Sequence, residues 1–402
     1  MPRNQEKIDL NNDKEKKESD FFSDLIHSEY SRNYMPSNNL NNYYKTVVKK
    51  SDIVDLNKSI EHILTNLRGK FYGGGEDYLS TLKNNFRDEK LVLVLGAGVS
   101  MGFGLPNWEI LLQKLMVMSI NSKDDSSTNL SALFSKIFNP SPLIAGRYLQ
   151  KHFESQKKLF EEEVRSILYK EIDREVQSPL MDQIINFCIS PGKSPNLNSI
   201  ITYNFDDILE ERLKALPIDL PFKAIFGNSE DIEAGELPIY HVHGYLPEKG
   251  DLAENNLITF GENFYHKQYM DIYSWNNIVQ INKFRDYNCL FVGVSLTDPN
   301  TRRLLDIANQ QRTESKGFHY CFKLKQDADF VKDKLEFLMS QTDNVISENI
   351  EDIDMQSTVE SLIALFESFE EKDLLSLGIK TIWVKNYSEI PLKLDEIRRL
   401  SK

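Results

Sequence analysis

The run Leu91-Val92-Leu93-Val94-Leu95 is apolar at every position and passes straight into Gly96-Ala97-Gly98-Val99-Ser100. A half-solvated strand would alternate in polarity, so a strand that is apolar on both sides belongs in the middle of a parallel sheet covered by helices on both faces. Gly102, Gly104 and the segment Leu105-Pro106-Asn107-Trp108 follow, after which Ile110, Leu111, Leu115 and Met118 keep helical spacing. Strand, glycine turn and helix in that order can form an anion cradle. Gly96 and Gly98 let the backbone approach a diphosphate, Ser100 offers a hydroxyl, and the amides of the turn are expected to point at the anion. The fingerprint of hydride-transfer enzymes asks for a third glycine where this chain has Met101, and a plain tight turn accounts for Gly-x-Gly equally well.

Further strands are predicted at Ser199–Thr202, Ile239–Val242, Leu257–Phe260, Leu290–Val294, Tyr320–Leu324 and Ile379–Val384, mostly separated by enough chain for a crossover helix. The expected fold class is therefore α/β, a Rossmann-like, doubly wound and mainly parallel sheet. Ligands of such sheets lie beyond the carboxyl ends of the strands. Four of those ends carry polar clusters.

One is Thr202-Tyr203-Asn204-Phe205-Asp206-Asp207, which sets an amide and carboxylates at the sheet rim. An amide orients a water or a ribose hydroxyl without titrating, although Asn204 and Asp206 are equally the residues that brace a strand-to-helix turn. Another is His241-Val242-His243-Gly244, whose alternation is expected to put both histidines on one strand face, with His243 at the strand end. His243 suits a base near neutral pH or a satisfied core histidine. A metal on the two histidines lacks an identifiable third ligand. Gly293-Val294-Ser295-Leu296-Thr297-Asp298 forms a small-residue turn with room for a ribose or a diphosphate.

The formal charge of −13 disfavours a surface that neutralises phosphates, so direct nucleic-acid binding is not expected. No apolar run approaches the roughly 18 residues of a membrane span, and the start lacks a signal-peptide pattern, so a cytoplasmic protein is expected. Cys188, Cys289 and Cys321 are too few and too dispersed for a disulfide framework or a zinc module. Residues 1–50 are rich in Asn, Lys, Glu, Asp and Ser and are expected to be poorly ordered or extended. Within residues 51–88 a helical lead-in is expected, with helical spacing over Ile53–Leu67; Gly73-Gly74-Gly75 reads as a connector. Helical insertions are expected at about 121–187 and 327–372, the second carrying the acidic run Glu348–Asp354.

Taken in order, Gly-Ala-Gly-Val-Ser, Gly-Leu-Pro-Asn-Trp, Thr-Tyr-Asn-Phe-Asp, His-Val-His-Gly and Gly-Val-Ser-Leu-Thr-Asp resemble the sirtuin-like family. More closely they resemble its bacterial antiphage-defence branch, whose members hydrolyse NAD and include the subunit that pairs with a HerA-type hexameric ATPase. The resemblance spans about Leu91 to Leu400 and implies a sirtuin-like NAD-binding domain over residues 89–400. It implies that Gly96, Ala97, Gly98 and Ser100 form the diphosphate loop. Asn204 matches the catalytic asparagine, with Thr202 beside it, Asp206 the nicotinamide-side carboxylate, and His243 the catalytic histidine. Gly293 and Ser295 match the adenosine-side loop, and Asp298 is a feature of the branch without an assigned role.

Departures accompany the match. The four-cysteine zinc module of protein-deacylating sirtuins is missing, and Asn107-Trp108 stands where those enzymes carry an arginine, which argues against acyl-lysine recognition. The resemblance thus implies an NAD glycohydrolase, with NAD as substrate and no zinc, acting as the toxic effector of an antiphage, abortive-infection system. It also implies a homo-oligomer, with a HerA-type ATPase as a possible partner. The alternatives are an NAD-dependent deacylase or ADP-ribosyltransferase, and a non-catalytic module that senses NAD or ADP-ribose.

Overall fold

The structure is a computed structural model that describes Ile60 and residues 78–120, 141–189, 197–227, 231–252, 258–313, 317–340 and 354–399. The expected 1–50 segment, the Gly73–Gly75 connector, all of Ile53–Leu67 except Ile60 and all of the acidic run except Asp354 lie outside the described residues. The chain divides into two compact units, Lys70–Lys325 with Phe366–Lys402, and Met1–Gly69 with Gln326–Leu365.

The larger unit holds seven strands: β1 (Leu91–Leu95), β2 (Leu197–Thr202), β3 (Phe222–Ile225), β4 (Leu237–His241), β5 (Asn288–Val292), β6 (His319–Leu324) and β7 (Ile379–Val384). They form one sheet in the order β3-β4-β2-β1-β5-β6-β7, and every pairing is parallel. This is the Rossmann-like α/β architecture that the apolar run announces. The helices are α1 (Tyr78–Arg87), α2 (Trp108–Ile120), α3 (Pro142–Ser155), α4 (Phe160–Leu168), α5 (Pro179–Cys188), α6 (Ile208–Lys214), α7 (Glu262–Met270), α8 (Trp275–Asp286), α9 (Pro299–Gln311), α10 (Ala328–Ser340), α11 (Met355–Ser376) and α12 (Glu389–Arg398). Of these, α10 belongs to the smaller unit and α11 begins in it.

All five residues of β1 are buried, and they serve two cores in alternation. Leu91, Leu93 and Leu95 join residues of α1 to α6 and α12, whereas Val92 and Val94 join Phe284 of α8 and Leu304, Leu305 and Ala308 of α9. Helix starts are written locally. Ser141-Pro142, Ser178-Pro179 and Asp298-Pro299 each place a side-chain oxygen on an early helix amide, followed by a proline that lacks the N–H the first turn cannot use. Asn107 caps α2 in the same way, its Oδ1 accepting from Ile110 N–H at 2.9 Å.

Two strand expectations need correcting, and one strand goes unpredicted. Residues 258–260 form no strand, and Leu257 is outside the described residues. Ile258 and Phe260 are fully buried because Phe260 packs on Trp108 and Phe160, with ring centroids 4.3 and 4.9 Å apart, which imitates strand burial without a ladder. β5 begins and ends two residues earlier than Leu290–Val294, because Gly293 takes φ +68° and turns the chain. β3, an edge strand of four mostly half-buried residues, carries too little apolar signal to be expected at all.

Candidate active site

β1 lies between β2 and β5, with Leu95 opposite Thr202 on one side and Val292 on the other, so three loops leave the sheet side by side. The turns after β1 and β5 interlock. Gly96 N–H donates to Val292 O and Gly98 N–H to Gly293 O, both at 3.1 Å. A Cβ on Gly96 would sit 2.5 Å from Gly293 O, and one on Gly98 2.8 Å from Gly293 Cα, so these glycines are required by the neighbouring turn itself. Val99 N–H donates to Gly96 O, and Ser100 N–H to Ala97 O. The expected cradle of amides aimed at an anion is corrected accordingly: the N–H groups of Gly96, Gly98, Val99 and Ser100 all have acceptors within the main chain. Gly98 and Gly293 are exposed and Ala97 is half-buried, so the interlocked backbones are open to solvent.

Behind that surface lies a polar cluster built on Asn204. Its amide nitrogen donates to Gly96 O at 3.1 Å and to Ser100 Oγ at 3.0 Å. Ser100 Oγ donates in turn to Asp206 Oδ1 at 3.0 Å, which also accepts from Ile208 N–H at the start of α6. Asn204 N–H donates to Thr202 Oγ1 at 3.1 Å. The amide, hydroxyl and carboxylate form one directed chain in which each donor polarises the next. Burial pushes the Asp206 carboxyl up to about 6, partly offset by the bonds from Ser100 and Ile208.

The histidines do not share a strand face as expected. β4 ends at His241, and Val242 and His243 already form a turn, so the period of two no longer applies. The His241 ring is buried against Asn204 O and Glu210, while the His243 ring meets the Tyr203 ring with centroids 4.7 Å apart. Neither nitrogen of His243 has a hydrogen-bond partner among the described residues. Burial lowers its imidazole below the ordinary value, and the Asp298 carboxylate works in the opposite direction. The ring is therefore neutral at neutral pH and able to accept a proton.

Asp298 acquires a structural account: it caps α9 by accepting from Thr301 N–H at 2.6 Å and also accepts from Tyr265 Oη. Ser295 stands apart from the Asn204 cluster. It is exposed, its hydroxyl is bonded to Thr297 Oγ1 at 2.8 Å, and its carbonyl receives Lys323 Nζ. The structure thus brings together Gly96, Ala97, Gly98, Ser100, Thr202, Asn204, Asp206 and Gly293, with His243 one residue away through Tyr203.

A family model described as a SIR2-like domain matches residues 198–344. The match supports a sirtuin-like family and suggests NAD binding or use. It takes in Thr202, Asn204, Asp206, His243, Gly293 and Ser295 and leaves out the Gly96–Ser100 turn. No curated protein matches the chain. Among the described residues no helix is long and apolar enough to cross a membrane, and no group of three or more His, Cys, Asp or Glu side chains is placed to hold a metal.

The donor set of this site fits a dinucleotide in chemistry: two exposed glycine backbones, an amide, a hydroxyl, a carboxyl and a neutral imidazole. The enclosed cavity does not fit one in size. Lined by Ser100, Thr202, Asn204, Asp206, Glu210 and His241 among others, it measures about 10 Å³, room for a single water. Two of its polar residues, Glu210 and the ring of His241, were assigned no role from sequence. The available signal is an acidic residue, Glu210, on the buried face of α6 beside Ile208, Leu209 and Leu213.

Proposed function

We propose that the chain binds NAD on the solvent side of Asn204, over the interlocked turns at Gly98 and Gly293, and hydrolyses it to nicotinamide and ADP-ribose. The observation that carries this is the placement of an asparagine, Asn204, held by two side-chain and two main-chain hydrogen bonds, one residue from Tyr203, whose ring meets a neutral imidazole, His243, that has no hydrogen-bond partner among the described residues. Breaking the glycosidic bond leaves positive charge on the ribose and releases nicotinamide, and a water supplies the new C–O bond. Asn204 orients the ribose and the water, and His243 accepts the proton that the water loses. One NAD and one water give nicotinamide, ADP-ribose and a proton. Supporting the reading are the SIR2-like match and the lowering of the His243 pKa by burial.

Chromatography of nicotinamide, ADP-ribose and residual NAD over time tests it. Stoichiometric release by the wild type and its loss in folded Asn204→Ala and His243→Ala variants is the expected result; intact NAD in the presence of cell lysate sinks it. A second reading, a module that binds NAD or ADP-ribose without cleaving it, is favoured by the closed arrangement in which both amide protons of Asn204 are already taken. Binding without turnover distinguishes it. The role of toxic effector in antiphage defence, self-assembly and a HerA-type partner rest on the sequence resemblance and belong to the same proposal.

A further inference from the structure

Glu210 and His241 are the most deeply buried ionisable pair described in the molecule, with 2% and 1% of their side chains exposed. His241 Nε2 lies 2.7 Å from Glu210 Oε1, and Nδ1 lies 3.2 Å from the carbonyl oxygen of Asn204. A carbonyl only accepts, so Nδ1 must carry a hydrogen. With Nδ1 protonated, a neutral imidazole turns a lone pair from Nε2 toward the carboxylate, and two acceptors at that distance repel. One further proton therefore lies between Nε2 and Oε1, whichever of the two atoms holds it.

Buried pairs of this kind are costly to build and give little net stability relative to apolar residues of the same shape, which directs attention to what the pair holds in place. It holds the main chain of Asn204. Thr202 Oγ1 fixes that residue's N–H and His241 fixes its C=O, so the peptide planes on both sides of Asn204 have one orientation, and the amide is aimed from there. Tyr245 covers the His241 ring at 4.3 Å between centroids. Glu210 Oε2 is buried without a hydrogen-bond partner among the described residues, and Glu210 lines the small cavity that Ser100, Asn204 and Asp206 also line, a space of the size of one water.

We propose that His241, anchored by a proton shared with Glu210, is the positioning residue for Asn204. The inference deepens the NAD-hydrolase reading and rests on it for its effect on turnover, whereas the hydrogen bond itself stands apart from any ligand.

Two measurements test it. In protein labelled with 15N-histidine, without NAD, His241 is assigned by its disappearance in His241→Asn. The expected signal is a protonated Nδ1, which persists in Glu210→Gln because a glutamine amide can donate to Nε2. An Nε2–H tautomer with a bare Nδ1 overturns the proposal, and this reading of the wild type does not depend on any variant folding. In turnover, His241→Asn puts an amide donor at the level of Nδ1 and keeps the bond to Asn204 O. His241→Gln puts it at the level of Nε2 and loses that bond. Expected are a kcat within about threefold of wild type for His241→Asn and roughly 10- to 100-fold lower for His241→Gln, each with KM within about twofold. Equal kcat in the two folded variants overturns the proposal. If the wild type leaves NAD intact, the hydrolase reading fails, and the imidazole spectrum alone decides for or against the positioning role.

Discussion

Asn204 and His243 sit at neighbouring strand ends, yet the protein treats them in opposite ways. Asn204 N–H, C=O and both amide protons all have partners, on Thr202, His241, Gly96 and Ser100. His243 is held by its main chain, where Thr259 N–H donates to its carbonyl at 2.6 Å, and by an edge-on ring contact with Tyr203, while its ring nitrogens are left without partners among the described residues. The difference follows from chemistry. An amide cannot take up or release a proton at ordinary pH, so its use lies in direction, which hydrogen bonds supply. Under the proposed hydrolysis, an imidazole that exchanges a proton would be hindered by bonds that fix its tautomer, and packing positions it instead.

The sharpest way to break this contrast is turnover. Asn204→Ala is expected to lower NAD hydrolysis by more than about 100-fold and His243→Ala by roughly 100-fold, with only the second loss altering the pH profile. An unchanged rate in folded His243→Ala would remove the imidazole from the mechanism. Stability measurements come next. Gly98→Ala drives a Cβ onto Gly293 Cα and should destabilise the fold by about 2–3 kcal/mol in urea unfolding. A fully stable Gly98→Ala variant would show that the two turns are not locked together.

Asp206→Asn probes the carboxyl that Asn204 polarises through Ser100. The folded-state value of Asp206, about 6, stands above the ordinary 3.8, so the folded protein binds this proton more tightly than the unfolded chain. The resulting stability is complete below about pH 4 and is lost as pH rises through about 6. At pH 8 the asparagine variant should be the more stable by on the order of 2 kcal/mol, with the gain vanishing near pH 3.5. A variant less stable than wild type at pH 8 contradicts the assignment of the shift to burial. Smallest of all is Gly102→Ala. No atom lies within 4 Å of its added methyl, so melting should move by less than about 0.5 kcal/mol, which serves as the control for Gly98.

Much of the sheet is readable because β1 and β5 are largely apolar and run into glycine, and β1 follows the Leu91–Leu95 run residue for residue. Phe260 misleads because a buried aromatic in a loop has the same hydropathy as one in a strand. Asn204 and Asp206 stand out as polar residues directly after an apolar strand. Glu210 and the role of His241 are hidden because their partners lie across the fold: 31 residues separate the two members of the pair. The double use of Gly96 and Gly98 is hidden for the same reason, since nothing near position 98 tells of Gly293.

The interlocked turns have a consequence for how the protein is made. β1 lies between strands about 100 and 200 residues further along the chain, and parallel pairings over such distances form late. Gly293 is synthesised roughly 5 to 20 s after Asn204 at ordinary ribosomal speed. Until then the Gly96 turn has no opposing turn to close against, and Asn204 has no fixed Gly96 carbonyl to aim from. A nascent or truncated chain that stops short of β5 therefore carries the chemical groups of the site without the geometry that the completed sheet gives them.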